Sequence, residues 1–76
     1  MAVKAYILMN LVSASVPETL KELRATKGIK FADAVTGPYD AIVQVEAQDM
    51  DDLGAVVTTK ILKVKGVVKT LTCVAV

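Results

Sequence analysis

Histidine and tryptophan are absent from this 76-residue chain, and cysteine occurs once, at Cys73. Without histidine, the side chain that most often serves as a neutral-pH base or metal ligand is missing. A single thiol closes no internal disulfide, so neither a zinc site nor a cystine can staple the fold. Cys73 falls in a strand-like run with no base near it in sequence, which reads as a plain buried thiol with no catalytic or metal role. Glycine is scarce and scattered, with four residues standing singly at Gly28, Gly37, Gly54 and Gly66, so no phosphate-cradling loop exists. The aromatic supply is Tyr6, Phe31 and Tyr39. No cofactor is called for by any of these residues.

Charge of one sign is also lacking. Nine Lys and Arg face eight Asp and Glu, with no long block of either, which argues against nucleic acid as the direct partner. No apolar run approaches the roughly 20 residues needed to span a bilayer. The stretch Tyr6 to Val12 is interrupted by Asn10 and has no small-residue cleavage site, so it is not a secretory signal. The expected location is the cytoplasm, where an unpaired thiol is unremarkable.

What the chain does contain is apolar side chains, 54% by the count that includes tyrosine. A domain this small buries only about 60% of the surface its unfolded form exposes. With no staple available, a protein partner is the remaining source of stability.

From Ala2 to Val12 apolar groups fall on both faces of a strand, the pattern of a central strand covered on two sides. Ser15 followed by Glu18 predicts a capping box, and Pro17 is tolerated in a first helical turn. The helix is expected to run to about Lys27, with Val16, Leu20 and Leu23 in one stripe and Gly28 ending it. Ile29 to Thr36 alternates with a polar residue on each face, as an edge strand does. Ala41, Val43, Val45 and Ala47 alternate with Ile42, Gln44 and Glu46, which places the small aliphatic residues against helices. Asp49 is the expected cap of a second helix, with Asp51 and Asp52 in its first turn and Lys60, Lys63 and Lys65 at or beyond its end. These acids suit a helix dipole better than a metal site. The expected buried stripe is Met50, Leu53, Val57, Ile61 and Val64, with Gly54 allowing a close approach and Gly66 stopping the helix. Val67 to Val76 forms the last strand.

The order β-α-β-β-α-β predicts an α+β, ferredoxin-like sandwich. It has a four-stranded antiparallel sheet with both helices on one face. The opposite face is then bare, and Val68, Val74, Val76, Thr70 and Thr72 are assigned to it. Bare apolar faces are rare on monomers, so two such sheets are expected to pack together in a dimeric α/β barrel-like assembly.

Between the two middle strands stands Gly37-Pro38-Tyr39-Asp40, where Gly37 offers positive φ and Pro38 fixes its own. Asp40 suits either a bond to backbone N–H groups of the turn or a ligand ammonium group. Tyr39 suits an interface or a pocket equally. Thr70 and Thr72, two apart on one strand face, suit a small polar ligand or simply a strand.

The strand AYILMNLV, the central stretch VTGPYDAIVQVEAQDMDDL and the final KVKGVVKTLTCVAV resemble, over nearly the whole length, the effector-binding RAM (regulation of amino acid metabolism) domain of the Lrp/AsnC family of transcriptional regulators. The G-x-Y-D turn running into an alternating strand and an acidic helix start is the most specific part. Members usually carry an N-terminal helix-turn-helix domain, whereas residues 1–76 begin at the first strand, so the resemblance implies a stand-alone domain without direct nucleic-acid or membrane contact. It further implies sheet-to-sheet dimers, rings of dimers such as octamers, and amino-acid ligands held between dimers. The ligand-binding residues it implies are Gly37, Tyr39, Asp40, Thr70 and Thr72.

The function expected is thus non-enzymatic binding of a small amino acid coupled to oligomerisation. A ligand-free protein that co-assembles with full-length Lrp/AsnC regulators is the second expectation. A small cofactor-free ferredoxin-like enzyme is a third, which the missing histidine and scarce aromatics disfavour.

Overall fold

A computed structural model describes residues 2–76. The elements run β1 (Val3–Leu11), α1 (Val16–Arg24), β2 (Ile29–Ala34), β3 (Ala41–Ala47), α2 (Met50–Val56) and β4 (Val67–Val74). A 3₁₀ turn over Ser13–Ser15 leads into α1, and a π-helical turn over Val57–Ile61 continues α2. The four strands form one antiparallel sheet in the order β2-β3-β1-β4, the expected ferredoxin-like arrangement with β1 central.

Strand parity decides the core. Ala5, Ile7, Met9 and Leu11 of β1 lie beside Ala41, Val43, Val45 and Ala47 of β3, all buried. Leu20 and Leu23 from α1, Leu53, Val56 and Ile61 from the second helical segment, and Val64 from the bend after it close over them. Val16 and Val57 are half-buried against this core. Met50, expected in the stripe, is 57% exposed, and Val56 takes a place in the core instead. The reason is the position of Met50 directly after the cap, where the helix has not yet reached the sheet.

Helix ends differ from expectation in instructive ways. Ser15 makes no capping bond to α1; its hydroxyl donates to the Val12 carbonyl, 3.2 Å, because the 3₁₀ turn places that acceptor first. At α2 the expected Asp49 cap is present, and it is reciprocated. Asp49 Oδ1 accepts from the Asp52 N–H, 2.8 Å, and Asp52 Oδ2 accepts from the Gln48 N–H, 2.9 Å. Helix α1 ends at Arg24, short of Lys27, and Gly28 makes the left-handed turn after it with φ +97°.

The π turn has a local cause. Leu62 N–H bonds five residues back to Val57, 3.0 Å, and the Thr58 and Thr59 hydroxyls donate to the Gly54 and Ala55 carbonyls. Threonine back-bonding of this kind bends and loosens helices, and the run Val56-Val57-Thr58-Thr59 is β-branched throughout. Gly54 admits no close approach: a Cβ there meets nothing within 4 Å. Gly54→Ala is therefore expected to stabilise the fold by about 0.5–1 kcal/mol, read as a raised midpoint in thermal unfolding. A lowered midpoint would mean that some partner needs that space.

The second sheet face is open. Its rows, read across the strands, are Phe31, Gln44, Tyr6 and Cys73, then Asp33, Ile42, Leu8 and Leu71. Cys73 is exposed there, not buried, since no layer covers this face within one chain. Thr70, Thr72 and Val74 are not on it. They pair with Met9, Ile7 and Ala5, whose side chains face the helices. The two helices do not reach across to β4, so Thr72 and Val74 stay exposed although they share the helix side.

Candidate functional site

The turn between β2 and β3 is stitched to β1 by three hydrogen bonds. Asn10 Nδ2 donates to the Pro38 carbonyl, 3.1 Å. The Asp40 N–H donates to the Met9 carbonyl, 2.9 Å, continuing the β1–β3 ladder by one residue. The Leu11 N–H donates to Asp40 Oδ2, 2.9 Å, at the point where the β1–β4 register shifts between Asn10 and Leu11. The Val35 N–H donates to the Asp40 carbonyl, 2.9 Å, closing the loop on itself.

Asp40 is thus held by strand β1, not by N–H groups of its own turn. Its Oδ2 is committed, whereas Oδ1 has no hydrogen-bond partner among the described residues. One carboxylate group both fastens the loop and leaves a half-buried anionic oxygen at the surface. Gly37 has φ +142° and open space beside its Cα, so glycine is required there for backbone conformation alone. Tyr39 is half-buried and Gly37 exposed.

Thr70 belongs to the same end of the sheet. Met9 pairs with Ala41 on one side and Thr70 on the other, which sets Thr70 two strand spacings, roughly 10 Å, from the β3 strand that follows Asp40. Thr72 is two residues farther along β4. The register therefore gathers Asp40 and Thr70 at one end of the sheet, with Thr70 beside Met9 on the helix side and Asp40, one residue before Ala41, on the alternate side with Ile42, and it sets Thr72 a step away. Asp40 and Thr70 are half-buried and Thr72 is exposed. Asn10 was the residue that sequence reasoning missed, since nothing in a strand pattern marks an amide that bonds to a carbonyl 28 residues away.

No group of three or more His, Cys, Asp or Glu is placed to hold a metal among the described residues. No helix among them is long and apolar enough to cross a membrane.

Comparison with known proteins gives a consistent answer. The structure called FFRP-DM1 is 36% identical with a TM-score of 0.92, covering 97% of this chain and 99% of that one. A hypothetical protein, PHS023 from Pyrococcus horikoshii, is 36% identical with a TM-score of 0.91, covering 97% and 89%. The regulator NMB0573 from Neisseria meningitidis, solved as a complex with L-Met, shares the fold at 18% identity and a TM-score of 0.88, with 97% of this chain and 49% of that one covered. No curated protein matches by sequence. The family model for the Lrp/AsnC ligand binding domain matches residues 4–76. Matched by the family model over residues 4–76 and by a solved structure at 36% identity across nearly the full length of both chains, the chain belongs to the Lrp/AsnC ligand-binding domain family.

Proposed function

We propose that this chain is a non-enzymatic module that binds a small amino acid between subunits and reports it through its state of assembly. The observation that carries this reading is the divided role of Asp40, with Oδ2 fixed by the Leu11 N–H and Oδ1 left to accept from a ligand ammonium group. Gly37 and Tyr39 shape the same loop. Thr70, and Thr72 beyond it, supply hydroxyls for the carboxylate or side chain of the ligand. A second subunit completes the site. The L-Met complex of the neisserial relative supports the ligand class.

Assembly begins with the open sheet face. Leu8, Ile42 and Leu71 make one uninterrupted apolar row, flanked by the pairs Lys4 with Glu46 and Asn10 with Lys69. An apolar centre with a polar rim is the composition of a protein interface, and packing it on its twin gives a two-fold dimer. Such dimers then associate further, bringing the Asp40 ends of neighbouring subunits together.

Calorimetric titration with each of the twenty amino acids tests the ligand. At least one is expected to release or absorb heat saturably. Asp40→Asn, which keeps an acceptor for the Leu11 N–H but removes the charge, is expected to weaken that binding by about tenfold or more. Asp40→Ala is expected to cost about 1–3 kcal/mol of folding stability besides, because the Leu11 N–H loses its acceptor. Absence of heat with every amino acid would remove the reading.

A further inference from the structure

Opposite the Asp40 turn, at the far end of the sheet, the structure holds a cleft of about 650 Å³. Ala47 lies there and Ala41 at the turn, about 20 Å apart along one strand. The volume is that of a small-molecule site, for which roughly 300–1,000 Å³ is usual. Its floor is apolar, from buried Ala47 and Val56, and its rim carries Lys27, Lys60, Glu46 and Asp52.

Two backbone features bring these charges together. The left-handed Gly28 turns the chain after α1 and ties it to β3, its carbonyl accepting from the Glu46 N–H at 2.9 Å; Lys27 rides on that turn. Lys60 comes from the π turn, next to Val56 on the same cleft wall. Wide turns of this kind recur at functional sites. The single ion pair among the described residues joins Arg24 to Asp33, 3.8 Å, so neither lysine is neutralised within the chain. Asp52 has one oxygen committed to the Gln48 N–H, and the Glu46 carboxylate has no hydrogen-bond partner among the described residues.

We propose that this cleft is a second ligand site, separate from the Asp40 turn, for a small zwitterion bearing a carboxylate and an ammonium group. A simple anion attracted by Lys27 and Lys60 meets Glu46 and Asp52, and a simple cation meets the lysines. A molecule carrying both charges satisfies both pairs while its carbon chain covers Val56. The assignment does not rest on amino-acid binding at the turn.

Nuclear magnetic resonance on the ¹⁵N-labelled chain separates the two sites. The probes are glycine, γ-aminobutyrate and 6-aminohexanoate, which space the charges progressively, with acetate and ethylammonium as single-charge controls. At least one zwitterion is expected to shift the amides of Gly28, Ala47, Gln48 and Val56 saturably, while those of Gly37, Tyr39 and Asp40 stay in place or saturate at a different concentration. The double variant Lys27→Met/Lys60→Met, both positions exposed, is expected to weaken the cleft response about tenfold or more. No saturable shift at the cleft, an unchanged response in the double variant, or equal affinity for acetate would each overturn the proposal, whatever happens at the turn.

Discussion

Replacing Gly66 by alanine is expected to remove about 2–5 kcal/mol of stability, a large share of what so small a domain possesses. Gly66 has φ +97°, a conformation that costs a residue with a Cβ about 1–3 kcal/mol. The added methyl also points directly at Thr19 Oγ1 and Ser15 Oγ. Thr19 is fully buried, and its hydroxyl donates to the Lys65 carbonyl, 2.9 Å, so displacing it leaves a buried polar group unsatisfied. The Gly66 carbonyl in turn accepts from the Val12 N–H, 2.9 Å. One position therefore joins α1, the end of β1 and the start of β4. Gly28→Ala is the internal control, because Gly28 has the same φ but its Cβ would meet only ordinary contacts, the nearest being the Glu46 carbonyl at 3.4 Å. Thermal unfolding is expected to rank Gly66→Ala well below Gly28→Ala, and Thr19→Ala in the Gly66→Ala background is expected to recover the part due to the contact with Thr19. Equal losses at the two glycines would mean that backbone strain alone matters.

On the open face, Leu8→Lys is expected to weaken dimerisation by about four orders of magnitude or more. Leu8 stands between Ile42 and Leu71 in register, so a two-fold sheet-to-sheet contact buries it. An uncompensated charge in such a place costs about 3–5 kcal/mol, and symmetry introduces it twice. The monomer itself has little reason to suffer, since position 8 faces away from the helices and is only half-buried in one chain. Sedimentation is expected to give a dimer for the unaltered chain and a monomer for the variant at the same concentration, with an unchanged circular dichroism spectrum. A variant that remains dimeric would rule out this face as the contact.

Strand β3 shows how far periodicity carries. The alternation of Ala41, Val43, Val45 and Ala47 with Ile42, Gln44 and Glu46 translated directly into buried and half-buried sides, because β3 is flanked by strands on both edges and covered by helices along its length. Strand β4 shows where periodicity stops. Its two residue sets were separable by parity, but which set faces the helices was not, and Thr70, Thr72 and Val74 were placed on the wrong side. The physical cause is coverage. Two helices do not span four strands, so the helix side of β4 remains exposed and carries no apolar signature to identify it. Of the candidate site, turn chemistry foresaw the positive φ of Gly37, whereas for Asp40 it offered N–H groups of the turn or a ligand, and the carboxylate in fact accepts from the Leu11 N–H of β1. That bond was not legible, since it depends on a register shift that no local pattern encodes. The Ser15 and Glu18 pair satisfied the capping motif in spacing and failed in space, because the preceding 3₁₀ turn offered the hydroxyl a nearer carbonyl.

The strand order β2-β3-β1-β4 also sets a timetable. The first of these four strands to leave a ribosome is an interior one, apolar on its helix side and carrying Tyr6 and Leu8 on its open face. It has no neighbour until β3 follows some thirty residues later, with Met9 pairing Ala41 and Val3 pairing Ala47. Its other edge stays unpaired until the last strand arrives, because Ala5 waits for Val74. Closing that pair encloses almost the whole chain and carries the loop entropy of its full length. Native pairing of β1 is therefore completed only after synthesis of nearly all of these residues. A nascent chain stalled before β4 would present the edge of β1, with its unpaired amides and carbonyls, to any strand nearby.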